Sequence, residues 1–98
     1  MRIAHALPIV LLASSAAFAA DPSCRETAGA QQSATYVAQC LEVSPATRPP
    51  CNAANPCALI VDEIKRGCSG LRESLKRRPA RAAQGISEPE FCRSYLTD

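Results

Sequence analysis

Histidine is nearly absent from this sequence: His5 is the only one in 98 residues. Nucleophilic and general-base chemistry needs a base beside the reacting group, most often histidine. A serine hydrolase, a papain-like protease or a histidine-bound metal site is therefore not expected. Tryptophan is missing, and two Tyr and two Phe are the whole aromatic content. Single-stranded nucleic acids are gripped by stacking on such rings, so nucleic acid is not expected as a partner. Glycine is scarce, four in all with no Gly-x-Gly, so there is no phosphate-cradling loop. There is also no Cys-x-x-Cys pair, which argues against zinc. No apolar run reaches the roughly 20 residues of a membrane-spanning helix. No stretch alternates apolar and polar residues long enough to make a useful strand. The expectation is a non-enzymatic chain without cofactor or metal that does not span a membrane.

What is present begins with an export pattern. Arg2 supplies a positive start, Ile3 to Leu12 is mostly apolar, and small residues lead to Ala17-Phe18-Ala19. That order reads as a cleavable signal peptide over residues 1–19, cut after Ala19 or, next best, after Ala20. A lipoprotein signal would place cysteine directly after the cut. The first cysteine here is Cys24, behind Asp21-Pro22-Ser23. Residues 20–98 then form a single disulfide-rich helical domain, periplasmic or secreted and soluble. Losing Arg2 lowers the excess of Lys+Arg over Asp+Glu from two to one, so whole-chain basicity says nothing about nucleic acid.

Six cysteines remain in that short chain: Cys24, Cys40, Cys51, Cys57, Cys68 and Cys92. An even count in a small exported chain reads as a disulfide framework, and a domain this size needs such staples. The competing reading makes some of them redox thiols or metal ligands.

Two segments carry helical periodicity. In the first, Gln31 to Ser44, the residues Ala34, Val37, Cys40/Leu41 and Ser44 share a stripe. Ala20 to Gly29 reads as a polar N-terminal arm. Ser44-Pro45 stops the helix, and Pro45 to Asn55 reads as a rigid extended connection. The second helix opens with Asn55 as N-cap and Pro56 at its first position. Cys57, Ile60, Val61, Ile64, Cys68 and Leu71 line its stripe. Asp62, Glu63, Lys65 and Arg66 fall mostly off it, so Asp62-Glu63 reads as a solvated face. The stop lies between Gly67 and Gly70, or at Lys76 if the helix runs on. Ser87-Glu88-Pro89-Glu90 has capping-box spacing, predicting a short helix from Glu88 to about Tyr95. The fold class is all-α: a small disulfide-stapled antiparallel helical hairpin plus a short C-terminal helix.

Six cysteines allow fifteen pairings. Cys57 and Cys68 would sit about 16 Å apart on one helix, beyond the roughly 7 Å that a disulfide spans. An antiparallel hairpin sets Cys40 beside Cys57 and Cys24 beside Cys68. The expected bridges are therefore Cys24–Cys68, Cys40–Cys57 and Cys51–Cys92.

The one charged feature is a basic connecting segment over residues 72–86. From Lys65 to Arg81 seven positive residues face a single acid, Glu73. Arg72, Lys76, Arg77, Arg78 and Arg81 are the candidate partner-binding residues, for an anionic envelope component or an acidic protein. The competing reading is a solvated loop.

The stretch Tyr-Val-x-Gln-Cys-Leu-x-Val-Ser-Pro-Ala-Thr, then Pro-Pro-Cys-Asn-Ala-Ala-Asn-Pro-Cys-Ala-Leu-Ile, then Asp-Glu-Ile-Lys-Arg-Gly-Cys runs from Tyr36 towards Leu71. It resembles small exported cysteine-rich proteins of Gram-negative bacteria with no assigned activity. The resemblance implies a periplasmic or secreted bacterial protein, and it brings no functional residues. Twin-cysteine helical hairpins keep a nine-residue spacing that this chain departs from. Periplasmic lysozyme inhibitors face a cationic enzyme, for which a basic segment has the wrong sign.

Overall fold

A computed structural model describes Ala4 and residues 21–44 and 50–97. Apart from Ala4, the signal-peptide reading of 1–19 lies outside the described residues, as does the first part of the proline-rich connection, 45–49. The described chain is a disulfide-stapled helical hairpin of two long helices with two short ones after it. The long helices, α1 (Cys24–Val43) and α2 (Cys57–Arg77), pack on each other. They are followed by α3 (Ala80–Ala83) and α4 (Cys92–Tyr95), and α4 packs on α2.

Helix α1 starts earlier than its periodicity predicts. The segment expected as a polar arm is helical because its N-terminus is fully satisfied. The Ser23 side chain accepts from the Glu26 N–H at 3.2 Å. The carbonyls of Asn55 and Ala53 accept from the N–H groups of Cys24 (2.7 Å) and Arg25 (3.1 Å). Those are donors that a helix start leaves without partners. Gly29 then breaks the helix with φ 86° and ψ 167°, a backbone conformation open to glycine and costly for other residues.

The break sets the whole topology. A straight helix of 20 residues would be about 30 Å long. Yet Cys24 is bonded to Cys57, and Ser44 at the other end of α1 reaches Glu63, six residues or about 9 Å further along α2. Both ends of α1 therefore meet the N-terminal half of α2, which only a bent α1 allows.

This bend overturns the expected disulfide pairing. The bridges are Cys24–Cys57, Cys40–Cys51 and Cys68–Cys92, with Cα separations of 4.4, 5.4 and 5.5 Å. An unbroken hairpin would have set Cys40 against Cys57. With α1 folded at Gly29, Cys24 takes that place and Cys40 meets the loop at Cys51. Cys92 is then brought to Cys68 by α4. The exclusion of a Cys57–Cys68 bond holds.

In α2 the predicted stripe is the observed one: Ile60, Ile64 and Cys68 are buried, with Val61 and Leu71 half-buried. The N-cap is Pro56, not Asn55, whose carbonyl serves α1 instead. The helix runs past both glycines to Arg77, because Arg78 precedes Pro79 and is pushed out of the α region (φ −131°, ψ 75°). Most of the expected basic connection is thus helix: residues 72–77 belong to α2 and 80–83 to α3. Helix α3 closes on Gly85 at φ 85°. The Gly85 N–H bonds the Ala82 carbonyl and the Ile86 N–H that of Arg81, the double bond of a Schellman cap.

On α1 the buried face is displaced from the predicted stripe. Ser33 and Cys40 are buried with Tyr36, Val37 and Val43 half-buried, while Ala34 and Leu41 are exposed. The expected helix from Glu88 shortens to Cys92–Tyr95, because Glu88 is drawn away to Arg72 and no capping box forms. Phe91 and Tyr95 stack edge to face at 6.1 Å. The Tyr95 hydroxyl donates to Gln39 Oε1 at 2.5 Å and ties α4 to α1. Burial, with Tyr36 nearby, pushes that hydroxyl's pKa up.

Glu63 is the one buried carboxylate among the described residues, not the solvated residue expected. Its side chain is 9% exposed and joins both long helices. Ser44 Oγ donates to Oε1 at 2.5 Å, and Arg66 donates from Nη2 to Oε1 at 2.6 Å and from Nε to Oε2 at 2.9 Å. The Arg66 bonds first, then that of Ser44, hold the carboxyl below its ordinary value of 4.5, against the opposing effect of burial. A lowered folded pKa means stability present above the ordinary value and lost as pH falls through the folded one. The melting temperature is expected to drop in acid below about pH 4.5, and Glu63→Gln to reduce that slope. An unchanged acid slope in the variant would remove Glu63 from the account.

Candidate functional site

Five arginines that the sequence groups together have separate fates. Arg66 is tied to Glu63. Arg72 is half-buried and sends Nε (3.0 Å) and Nη2 (2.7 Å) to Glu88 Oε1, pinning the segment before α4 onto α2. It is a structural residue and is removed from the candidate set. Arg77 pairs with Glu73 one helical turn back, at 3.3 Å, with both side chains more than half exposed. Such a pair is worth little in water and leaves the guanidinium recruitable. Arg78 makes no ion pair among the described residues, and neither do Lys76 and Arg81.

The turn at Arg78-Pro79 folds α3 back on the end of α2. It brings Arg77, Arg78 and Arg81 around one open groove of about 470 Å³, with Gly70, Glu73 and Ser74 forming the rest of its wall. Lys76 does not line it. Three of the five predicted residues are therefore assembled, and two are not. The half-buried Arg81 is the pivot: its carbonyl is held by the Schellman cap, which fixes where its side chain starts.

The groove continues along α2 past Gly70, Ser74 and Arg81 into a second lobe of about 380 Å³. That lobe is lined by the apolar Val43, Gly67 and Leu71 together with the charged Glu42 and Arg66. Two glycines with different roles line it. Gly67 is buried because α1 lies on it: a Cβ there would meet the Val43 carbonyl oxygen at 2.5 Å. Gly70 is exposed, with nothing within 4 Å of where a Cβ would stand, so the helix backbone is bare at the groove's centre. In the sequence these glycines read only as helix breakers. Their spacing with Ser74, three and four residues apart on one face, is the signal that would have marked a shallow strip.

Chemically the arrangement offers guanidinium forks, a hydroxyl and a bare stretch of helix. It brings together no histidine and no free cysteine among the described residues. All six cysteines are paired. Among the described residues no three His, Cys, Asp or Glu side chains converge as a metal would require, and no helix is long and apolar enough to cross a membrane. No family model, curated protein or solved structure matches the chain.

Proposed function

We propose that this is an exported, non-enzymatic interaction protein of a bacterial envelope that holds an anionic partner in the groove of Arg77, Arg78 and Arg81. The observation that carries the reading is the sorting of charge. The arginines needed for the fold, Arg66 and Arg72, are neutralised by buried or half-buried glutamates, while Arg78 and Arg81 line the groove and make no ion pair among the described residues. Export is supported by the leader pattern, by three disulfides, which persist in oxidising compartments, and by the resemblance over Tyr36 to Leu71. An inhibitor or immunity role, neutralising an acidic enzyme or toxin, falls within the same reading. A basic face also speeds capture of an acidic partner and makes it salt-dependent.

The test uses the oxidised protein as bait for an envelope extract. A partner retained by the wild type and lost with Arg78→Gln/Arg81→Gln is the expected result. The same proteins on both baits, or none on either, would end the reading.

A thiol-redox or metal carrier is the alternative. Its one supporting feature is Cys57, which is only partly buried where the other five cysteines are buried. Zero free thiols and no bound metal in protein from the oxidising compartment would close it.

A further inference from the structure

Resting on that anion-binding reading, we infer that the groove takes an extended peptide segment of an acidic protein, about five residues long, with its acids at the α3 end and an apolar side chain at the other. Length is set by α2. Gly67 to Arg78 is eleven helical steps, about 16 Å, which an extended chain covers in about five residues.

Polarity is set by the walls. Arg78 lines one end and Arg81 the stretch shared by both lobes, whereas the other end is lined by Val43 and Leu71, by the Glu42 carboxylate, and by Arg66, whose charge Glu63 already takes up. Glu73 stands beside Arg77 on the first wall. A uniformly charged polyanion, such as a nucleic acid, would be drawn to the arginines and repelled at Glu42. A segment with its acids confined to the Arg78 end avoids Glu42, and Glu73 at that end is already paired with Arg77. Arginine forks match carboxylates, and the protein itself joins each of its paired arginines to a glutamate.

A phospholipid has the same head-to-tail polarity but the wrong proportions. An acyl chain needs about 15 Å of apolar cover, half a bilayer core. The apolar floor from Gly67 to Leu71 is about 6 Å long, room for one side chain. Gly70 adds a reason for a peptide: with no side chain there, an extended backbone can lie against the helix.

The experiment is a titration of the oxidised protein, followed through the backbone amide resonances of Gly70 and Ser74. The probes are Leu-Ser-Ser-Glu-Glu and its reverse, Glu-Glu-Ser-Ser-Leu, both end-capped, then hexaglutamate, inorganic phosphate and phosphatidylglycerol vesicles. One of the two leucine peptides is expected to bind more tightly than hexaglutamate. Gly70→Leu, which fills the groove at an open helix position, should weaken it at least tenfold, and so should Arg78→Gln/Arg81→Gln. A melting curve confirms that each variant is folded. If hexaglutamate, phosphate or vesicles bind as well as the leucine peptides and Gly70→Leu changes nothing, the peptide inference is wrong while the anion-binding reading stands. If no probe binds, both fall.

Discussion

In strong reductant at neutral pH and 37 °C, the protein is expected to lose its helical circular-dichroism signal and its cooperative melt. The reason is the composition of its interior. Among the described residues seven hydrophobic side chains are buried: five are half-cystines, and the others are Ile60 and Ile64. Burying an isoleucine stabilises by roughly 1.5–3 kcal/mol. Bridges closing separations of 33, 11 and 24 residues are each worth roughly 3–4 kcal/mol in the chain-entropy model. The Cys40–Cys51 loop lies inside the Cys24–Cys57 loop, so these figures do not add. Even so, the bridges outweigh the two fully buried aliphatics, around which only partly buried side chains such as Val37, Val43 and Phe91 pack. Replacing Cys68 and Cys92 together by Ala removes the only covalent hold on α4, and is expected to cost about 3 kcal/mol, read from denaturant midpoints. A reduced protein that keeps its spectrum and its melting point would show that the helices pack unaided, and the disulfide account would be wrong.

How far such an interior can be read from sequence depends on the range of the interaction. Helix α2 is legible because all its signals are local: Pro56 at the start, a stripe through Ile60, Ile64 and Cys68, and Pro79 beyond the end. The first five residues of α1 are not. Cys24 to Ala28 carry no apolar stripe, and they are helical because carbonyls from residues 53 and 55 close their N-terminus. The pairing of cysteines was hidden for a related reason. Gly29 reads as the end of an arm, and nothing in its neighbours says that it bends a continuous helix and so exchanges the partners of Cys24 and Cys40. At the candidate site the charge density was visible, but the division of labour was not. Arg72 differs from Arg78 only through Glu88, sixteen residues away, and Glu63 looks like a surface residue until Ser44 reaches it from the other helix.

The two glycines of α2 should respond in opposite ways to the same substitution. Replacing glycine by alanine inside a helix ordinarily stabilises by about 1 kcal/mol, since the unfolded chain has less freedom to lose. Gly70→Ala meets nothing within 4 Å and is expected to show that gain, a rise in melting temperature of roughly 4–8 °C for a domain of this size. Gly67→Ala gains the same local preference and loses more. Its Cβ would stand 2.5 Å from the Val43 carbonyl oxygen and 2.8 Å from both the Val43 carbonyl carbon and Cγ2. Two of those atoms are backbone and cannot rotate away, so α1 must lift off α2. Overpacking of this kind costs about 1–3 kcal/mol, and lifting Val43 also pulls Ser44 from Glu63, whose charge-assisted bond is worth about 1.5–3 kcal/mol. The net expectation for Gly67→Ala is a fall in stability of roughly 2 kcal/mol. The same lift should open the apolar end of the groove, where Val43 and Gly67 form the floor, and weaken the leucine peptide without touching an arginine. If Gly67→Ala stabilises as much as Gly70→Ala, the two helices do not meet at Val43, and the groove's apolar lobe would not exist in the form described.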